Sequence, residues 1–242
     1  MLYSKTIIEA NEISKSDCQK IAIKIREIVF KPAYRSKTTI FLCGADISLE
    51  TTIRYKIREV LTNFWYSFDY DLIYPEDIFE ELLYSSKSKD LLSLENLLAE
   101  SVDAVVIIPE SPGSFAELGA FANNEQLRSK IICVIDNKYR KNKSFINQGP
   151  IKLIKNVNRD HVVYIDKNEI GKPSMNYSYI FSNLSKDKEV EKITSALKKM
   201  KRASPILGEK ITLLQLEKYL LPVIYLLEPV SKLTLINTCW RS

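Results

Sequence analysis

Five short apolar runs alternate with segments of helical periodicity along the middle of this chain. The runs are TTIFLCG at 38–44, DLIYP at 71–75, DAVVIIP at 103–109, IICVID at 131–136 and HVVYID at 161–166. Between them, apolar residues recur three and four positions apart, as they do from Ile53 to Phe64, which predicts a helix from Ser48 to about Trp65. Repeated strand and helix units of this kind predict a parallel, doubly wound, five-stranded α/β sheet of the flavodoxin or Rossmann type.

Helical patterns flank this region on both sides. Residues 12–30 have apolar positions at helical spacing, and beyond about residue 184 the sequence is helical again, first basic and then apolar. We therefore predict an N-terminal helical extension at 1–37, a main domain at 38–180 and a helical C-terminal region at 181–242. The apolar segments at 211–240 exceed what a solvated tail would carry, so we expect them to pack on the domain or in a partner interface.

Composition narrows the class of protein. With 242 residues, 45% of them hydrophobic, the chain can bury a substantial core. No apolar run approaches the roughly 20 residues that span a bilayer, and the first residues lack the apolar core of a secretory signal, so we expect a cytoplasmic protein with no membrane partner. The four cysteines are widely spaced, which predicts reduced, buried thiols rather than disulfides. Basic runs at 138–143 and 198–202 are typical of solvated faces or of phosphate and nucleic-acid sites.

The run ESPGSFAELGAF at 110–121 follows the third apolar run and begins a helical pattern. In doubly wound sheets, ligands bind beyond the carboxyl ends of the strands at the topological switch point. We expect five residues to meet there: Gly44, Pro75, Glu76, Glu110 and Gly113. The chain has only six glycines, so we expect Gly44, Gly113, Gly119 and Gly149 to meet a need for close backbone approach or positive φ.

The available side chains restrict the chemistry. His161 is the only histidine and falls in a strand-like run, the cysteine and histidine spacing fits no zinc site, and neither GxxxxGK[ST] nor GxGxxG occurs. Carboxylates remain, and a carboxylate nucleophile suits the oxocarbenium-like transition state at a sugar's anomeric carbon. Glu117 is expected in the first helical turn, beside backbone N–H groups of Ser111–Ser114 that would face a phosphate or ribose hydroxyl. The alternative is that Glu117 only caps the helix or complements its dipole.

Three motifs resemble the nucleoside 2-deoxyribosyltransferase-like family: FLCG at 41–44, Glu95 placed eight residues before Asp103, and the helix start Glu117-Leu118-Gly119. Over most of the chain, the segments FLCGAD, IYPEDIFEELL, LLSLENLLAE, ESPGSFAELGAF, SFINQGP and LLPVIYLLE resemble effector proteins encoded beside bacterial retron reverse transcriptases.

The resemblance implies that Glu117 is the nucleophile and that Glu95 replaces an aspartate that contacts or protonates the base. Phe41 stands where the family often has a tyrosine. The transferases carry a further acid on the loop before the nucleophile; this loop is shorter here, and Glu110 is the residue that could replace that acid. The missing exact match favours hydrolysis over deoxyribosyl transfer. The resemblance also implies a set of substrate-binding residues: Gly44, Ala45, Asp46, Glu76, Ser111, Pro112, Gly113, Ser114 and Asn147. For Glu76 and Glu95, the alternatives are a helix cap and an exposed helix position.

The same resemblance implies an antiviral toxin that hydrolyses the nicotinamide–ribose bond of NAD, with NAD as substrate, no cofactor and no metal. It further implies inhibition by the retron reverse transcriptase and its RNA-linked DNA, a continuation into a winged-helix-like domain, and an oligomer or filament through the C-terminal helices. Two alternatives stay open. One is a nucleoside or nucleotide N-ribohydrolase, such as a phosphoribohydrolase of the lysine-decarboxylase-like type, or a deoxyribosyltransferase. The other is a non-catalytic nucleotide-sensing module that docks the reverse transcriptase and its DNA.

Overall fold

The chain folds around a five-stranded parallel sheet. The computed structural model describes residues 15–30, 37–76, 91–172, 187–203 and 219–225. The strands are β1 (Thr38–Cys43), β2 (Tyr70–Ile73), β3 (Ala104–Ile107), β4 (Ile131–Asp136) and β5 (Val162–Ile165). Their spatial order is β2-β1-β3-β4-β5, and every neighbouring pair is parallel. This is the order of flavodoxin-like sheets, with the topological switch point between β1 and β3, so the predicted fold class is confirmed.

Helices connect and cover these strands. They are α1 (Lys15–Lys24), α2 (Ile53–Leu61), α3 (Phe64–Ser67), α4 (Leu91–Ser101), α5 (Pro112–Asn123), α6 (Glu125–Arg128), α7 (Phe145–Gln148), α8 (Pro150–Val157) and α9 (Lys188–Ala203). Each predicted strand lies within two residues of its predicted bounds. The helix predicted to begin near residue 48 starts at Ile53, because the Thr52 hydroxyl caps it by accepting a hydrogen bond from the Tyr55 N–H (3.1 Å).

Alternate residues of β1 face opposite sides of the sheet, and both sides are buried. Ile40 and Leu42 pack in a core cluster with the apolar faces of α2 and α9. Phe41 and Cys43 point to the other face and are equally inaccessible to solvent. On that face α8 contacts α5 and the strands β4 and β5. The sheet is therefore covered on both sides, as its continuous apolar strands require.

Residues 36–207 form one compact unit, and residues 1–35 and 208–242 form another. The first unit contains α9, so it extends past the boundary near residue 180 that the sequence suggested. In the second unit, α1 continues as a π-helical segment, Ile25–Phe30, and residues 219–225 are helical. The Tyr219 hydroxyl donates a hydrogen bond to the Ala22 carbonyl (3.2 Å), which links the two ends of the chain. The expectations for 211–218 and 226–240 lie outside the described residues.

Two further expectations concern membranes and thiols. Among the helices described, none combines the length and apolar character that crossing a membrane demands. Cys43 and Cys133 are buried free thiols on β1 and β4, as predicted. Cys239 lies outside the described residues.

Candidate active site

A buried arginine organises the carboxyl end of β1. Arg54 is the second residue of α2 and its side chain is only 1% exposed. Its Nε donates to the Leu42 carbonyl (3.1 Å) and its Nη1 to the Ala45 carbonyl (2.9 Å), which satisfies main-chain acceptors where the strand ends. The sequence analysis missed Arg54. The available signal was its place on the buried face of α2, three residues before Ile57 and seven before Leu61.

Gly44 allows this arginine to pack against the end of the strand. A Cβ atom at position 44 would lie 2.9 Å from the Arg54 Cδ and 3.0 Å from its Cβ. The predicted close approach is therefore confirmed for Gly44, and also for Gly149, where a Cβ atom would lie 3.0 Å from the Phe145 carbonyl oxygen. It is wrong for Gly113 and Gly119, where a Cβ atom would meet nothing within 4 Å and φ is not positive. Within the described ranges, the positive φ belongs to Gly171 (81°).

Glu76, just beyond β2, completes the coordination of Arg54. The two side chains form a bidentate pair, with Nη1 to Oε1 at 2.5 Å and Nη2 to Oε2 at 2.8 Å. The Glu76 side chain remains 49% exposed. Partial burial opposes ionisation, but the hydrogen bonds from Arg54 outweigh it and lower the pKa of Glu76. Glu76 is thus an ionised carboxylate held at the mouth of the switch point.

Glu117 lies in the second turn of α5, not in the first turn as predicted. The helix begins at Pro112 with Ser111 as its N-cap, and Ser111 and Ser114 form a reciprocal capping box. Because Ser111 caps the helix and dipole effects fade within the first turn, Glu117 is neither a cap nor a dipole partner. Its side chain is half-buried, and its Oε2 atom is buried without a hydrogen-bond partner in the described part of the chain. Burial raises the pKa of Glu117, against the charge of Arg54.

Glu95 projects from α4 and is 8% exposed, so the alternative of an exposed helix position is wrong. Burial raises the pKa of Glu95 to about 7, and the charges of Glu117 and Glu76 add to the shift. The same three acids and Arg54 act on the buried Cys43 thiol, whose pKa is raised well above its usual value by burial and then by Glu117. These side chains come from β1, α2, the segment after β2, α4 and α5, and they meet at the carboxyl end of β1. We call Glu76, Glu95 and Glu117 the acid cluster.

Glu110, predicted as a catalytic stand-in, has a structural partner instead. Its Oε2 accepts from the Ile53 N–H and its Oε1 from the Arg54 N–H, both at 3.0 Å. The carboxylate thus caps α2 and ties the loop after β3 to the helix that carries Arg54. No sequence pattern near Glu110 indicates this contact, because the partners lie 56 and 57 residues away. Glu95 is consequently the acid that accompanies Glu117.

The helix-start N–H groups expected to face a ligand are mostly occupied. The Ser114 hydroxyl is fully buried, accepts from the Ser111 N–H (2.9 Å) and the Glu110 N–H (3.1 Å), and donates to the Ser111 carbonyl (2.9 Å). The Ser114 N–H donates to the Ser111 hydroxyl (3.2 Å), and Pro112 has no N–H. Of these four residues, Gly113 alone keeps an N–H that donates to no residue the structure describes, and it is exposed.

The other predicted ligand residues lie around this cluster. Asp46 is exposed, and its carboxylate accepts from the Ser48 N–H and hydroxyl (2.8 Å each), which lowers its pKa. Asn147 donates its side-chain amide to the carbonyls of Tyr139 (3.0 Å) and Asn142 (2.6 Å).

Asn147 belongs to a separate compartment. It lines a cavity of about 560 Å³ between the loops that follow β3 and β4. Ala45 and Glu110 also line this cavity, but no member of the acid cluster does. Both carboxylates that line the cavity, Glu110 and Asp136, have partners, whereas the Glu117 Oε2 atom has none among the described residues. The acid cluster is therefore the better candidate for the reactive centre.

The histidine and the potential metal ligands can be placed for the described residues only. His161 lies in a 3₁₀ turn just before β5, rather than in the strand, and burial lowers its pKa. No group of three or more histidine, cysteine or acidic side chains in the described ranges could hold a metal ion.

Fold and site together define a flavodoxin-like α/β protein with a carboxylate cluster at its topological switch point. Residues 51–241 match the family model of the STM3845 retron effector protein, and the chain belongs to this family of retron effectors. It is 39% identical over 206 residues to the "Retron Ec86 putative ribosyltransferase/DNA-binding protein" of Escherichia coli, covering 85% of the chain and 65% of that relative. It is 38% identical over 120 residues to the "Retron Ec73 putative ribosyltransferase/DNA-binding protein" of Escherichia coli, covering 49% of the chain and 38% of that relative. The matched region spans less than two thirds of these relatives' length.

Proposed function

We propose that this retron effector is a toxin whose α/β unit is an N-glycosidase that hydrolyses the nicotinamide–ribose bond of NAD. One observation carries the proposal: the Glu117 carboxylate has a buried oxygen with no partner among the described residues, beside the buried acid Glu95. A buried carboxylate oxygen without a hydrogen bond is costly in a folded chain, and its retention is typical of a group reserved for a ligand.

In the proposed reaction, the Glu117 carboxylate stands against C1′ of the nicotinamide riboside. The C1′–N bond breaks, its electron pair goes to the ring nitrogen, and nicotinamide leaves as a neutral molecule. Glu117 stabilises the ribosyl cation or traps it as an ester. Water then adds to C1′ and gives its proton to the ionised form of Glu95; where an ester has formed, its C1′–O bond breaks and Glu117 leaves as a carboxylate, so that both routes yield ADP-ribose.

Arg54 and Glu76 are positioning residues in this scheme. Arg54 holds the end of β1 and Glu76, and its charge favours the ionised form of Glu117. Glu76 keeps half of its side chain exposed at the mouth of the cluster, where it can accept a hydrogen bond from a ribose hydroxyl. The word "ribosyltransferase" in the names of the two relatives supports glycosyl chemistry of this kind.

A second candidate is hydrolysis of a neutral nucleoside or nucleotide. The pKa of Glu95 near 7 favours it, because a carboxyl group that is partly protonated at neutral pH can protonate a departing base. Nicotinamide leaves from a cationic ring and does not require that proton. We further propose that the retron reverse transcriptase and its RNA-linked DNA hold the toxin inactive, in line with membership of the retron effector family.

The test is incubation of the purified chain, freed from partners, with NAD and with a panel of nucleosides and nucleoside monophosphates, followed by chromatography. Nicotinamide release that vanishes in Glu117→Gln and persists in Glu125→Gln, an exposed acid on the next helix, is the expected result. Base release from the panel but not from NAD would favour the second candidate. No base release from any substrate would refute both enzymatic assignments.

A further inference from the structure

The cavity beside the acid cluster has the dimensions and walls of a small-molecule site. Its volume of about 560 Å³ falls within the roughly 300–1,000 Å³ of such pockets. Apolar side chains form much of its wall: Ile108, Phe115, Ile135, Ile146 and Ile151. Asn147 lines it as well, and because both amide hydrogens bond to main-chain carbonyls, its Oδ1 is left as an acceptor with no partner in the described chain. Such walls suit a planar heterocycle with a hydrogen-bond donor.

Two lysines line the cavity, and they differ in their partners. Lys138 lies 3.4 Å from the Asp136 carboxylate and 4.8 Å from the centre of the Tyr139 ring. Lys167 is half-buried, and its ammonium group forms no ion pair or hydrogen bond with any residue that the structure describes. An ammonium group that lines a cavity and has no partner in the described chain is available to an anionic ligand.

The start of α8 adds positive potential to the same cavity. Its N-cap, Gly149, provides no side-chain cap, Pro150 follows it, and Ile151 at the second helical position lines the cavity. The uncapped N–H groups of this turn carry the positive end of the helix dipole. The potential of the helix start and that of Lys167 therefore act in the same direction.

The cavity and the acid cluster are built from shared loops. Ala45 and Glu110 line the cavity, while the Ala45 carbonyl and the Glu110 carboxylate bind the side chain and main chain of Arg54. Phe115, which lines the cavity, and Glu117, which belongs to the acid cluster, are two positions apart on α5. Their side chains therefore point to opposite sides of this helix. At the start of α5, Gly113 is exposed, its N–H has no partner in the described chain, and no atom lies within 4 Å of where its Cβ would be.

We propose that this cavity binds the second nucleotide of a dinucleotide substrate whose scissile N-ribosyl bond lies at Glu117. The adenine nucleoside occupies the apolar walls, Lys167 contacts phosphate, and the pyrophosphate crosses the open helix start at Gly113. This inference rests on the proposed N-glycosidase function. It makes NAD a better substrate than a single nucleoside, because only a dinucleotide can occupy both compartments at once.

The first experiment fills the cavity. Ile146→Trp adds volume at a half-buried wall residue, and Phe145→Trp is the matched control on the neighbouring residue, which is 83% exposed and does not line the cavity. We expect Ile146→Trp to lower kcat/KM for NAD at least tenfold and to leave hydrolysis of nicotinamide riboside unchanged. Equal loss with both substrates, or no loss with either, would overturn the assignment.

The second experiment measures binding without catalysis. ADP is titrated calorimetrically into the Glu117→Gln chain, alone and combined with Ile146→Trp or Lys167→Met, with Lys198→Met as the control on the exposed face of α9. We expect the Kd for ADP to rise at least tenfold with Ile146→Trp and several-fold with Lys167→Met. Absent ADP binding, or binding that neither variant weakens, refutes the cavity site whatever the hydrolysis result. ADP binding that the variants weaken, in a wild-type chain that releases no base, would refute only the proposed glycosidase.

Discussion

Replacement of Glu95 by glutamine should stabilise the chain at high pH and not at low pH. The pKa of this buried acid is raised from 4.5 to about 7, so between these values the folded state holds a proton that the unfolded state has released. Stability is therefore lost as the pH rises through this window. A shift from 4.5 to about 7 corresponds to roughly 3 kcal/mol at 1.36 kcal/mol per pKa unit. Glu95→Gln keeps the shape and removes the charge, so it should recover most of this free energy above pH 8.

The assay is urea unfolding followed by circular dichroism at pH 5 and pH 8.5. Glu100→Gln, an exposed acid on the same helix, controls for the general effect of removing a carboxylate. We expect Glu95→Gln to exceed wild type by roughly 2–3 kcal/mol at pH 8.5 and to differ by less than about 1 kcal/mol at pH 5. A gain of the same size at both pH values, or a loss at pH 8.5, would refute the burial of an ionisable Glu95.

Three further substitutions test the scaffold, each by the free energy of unfolding. Arg54→Met should cost roughly 2–4 kcal/mol, because it breaks the pair with Glu76, whose half-exposed carboxylate can still be hydrated. Arg58→Met, which breaks the surface pair with Glu59, should cost less than about 1 kcal/mol. Gly44→Ala should cost roughly 1–3 kcal/mol through overlap with the arginine side chain, and Gly113→Ala, which faces open space, should cost less. Ser114→Ala should cost roughly 1–3 kcal/mol, since it removes the Ser114 half of the capping box and leaves the Ser111 N–H unpaired, while the Glu110 N–H keeps the Ile108 carbonyl. An Arg54→Met chain as stable as wild type would contradict the anchoring role.

The fold could be predicted because its evidence is local. Strand and helix periods are read within windows of about 11–18 residues, and each apolar run here is continuous enough to indicate a strand buried on both faces. The topology followed from alternation of these elements, since a parallel sheet needs crossovers. The element boundaries that were predicted wrongly are set by contacts between residues farther apart in the sequence than those windows. The start of α2 depends in part on Glu110, which comes from the loop after another strand.

The site was predicted only in part for the same reason. Glu117 stood out by its motif and Glu95 by resemblance, but Arg54 was not recognised, because the chain has 35 lysines and arginines and most such residues are solvated. Asn147 was predicted to bind substrate, and the structure places it in the cavity and not in the acid cluster. Only the tertiary structure separates these two places. Gly113 was expected to need a special conformation, and instead it leaves open space.

The charge balance of the acid cluster favours a cationic reacting group. Arg54 pairs with Glu76, and burial together with the charge of Glu117 raises the pKa of Glu95 to about 7, so Glu95 is partly protonated near neutral pH. Any ionised carboxylate of this cluster carries its negative charge in a partly dehydrated site. A pyridinium ring would be attracted there in the ground state. As the C1′–N bond breaks, the positive charge moves from the ring to the ribose carbon and comes closer to Glu117, so the attraction is stronger in the transition state than before it. A neutral nucleoside gains the second effect only, and it must also draw a proton from Glu95. The charges of the acid cluster therefore suit a substrate that brings its own positive charge, as the NAD proposal requires.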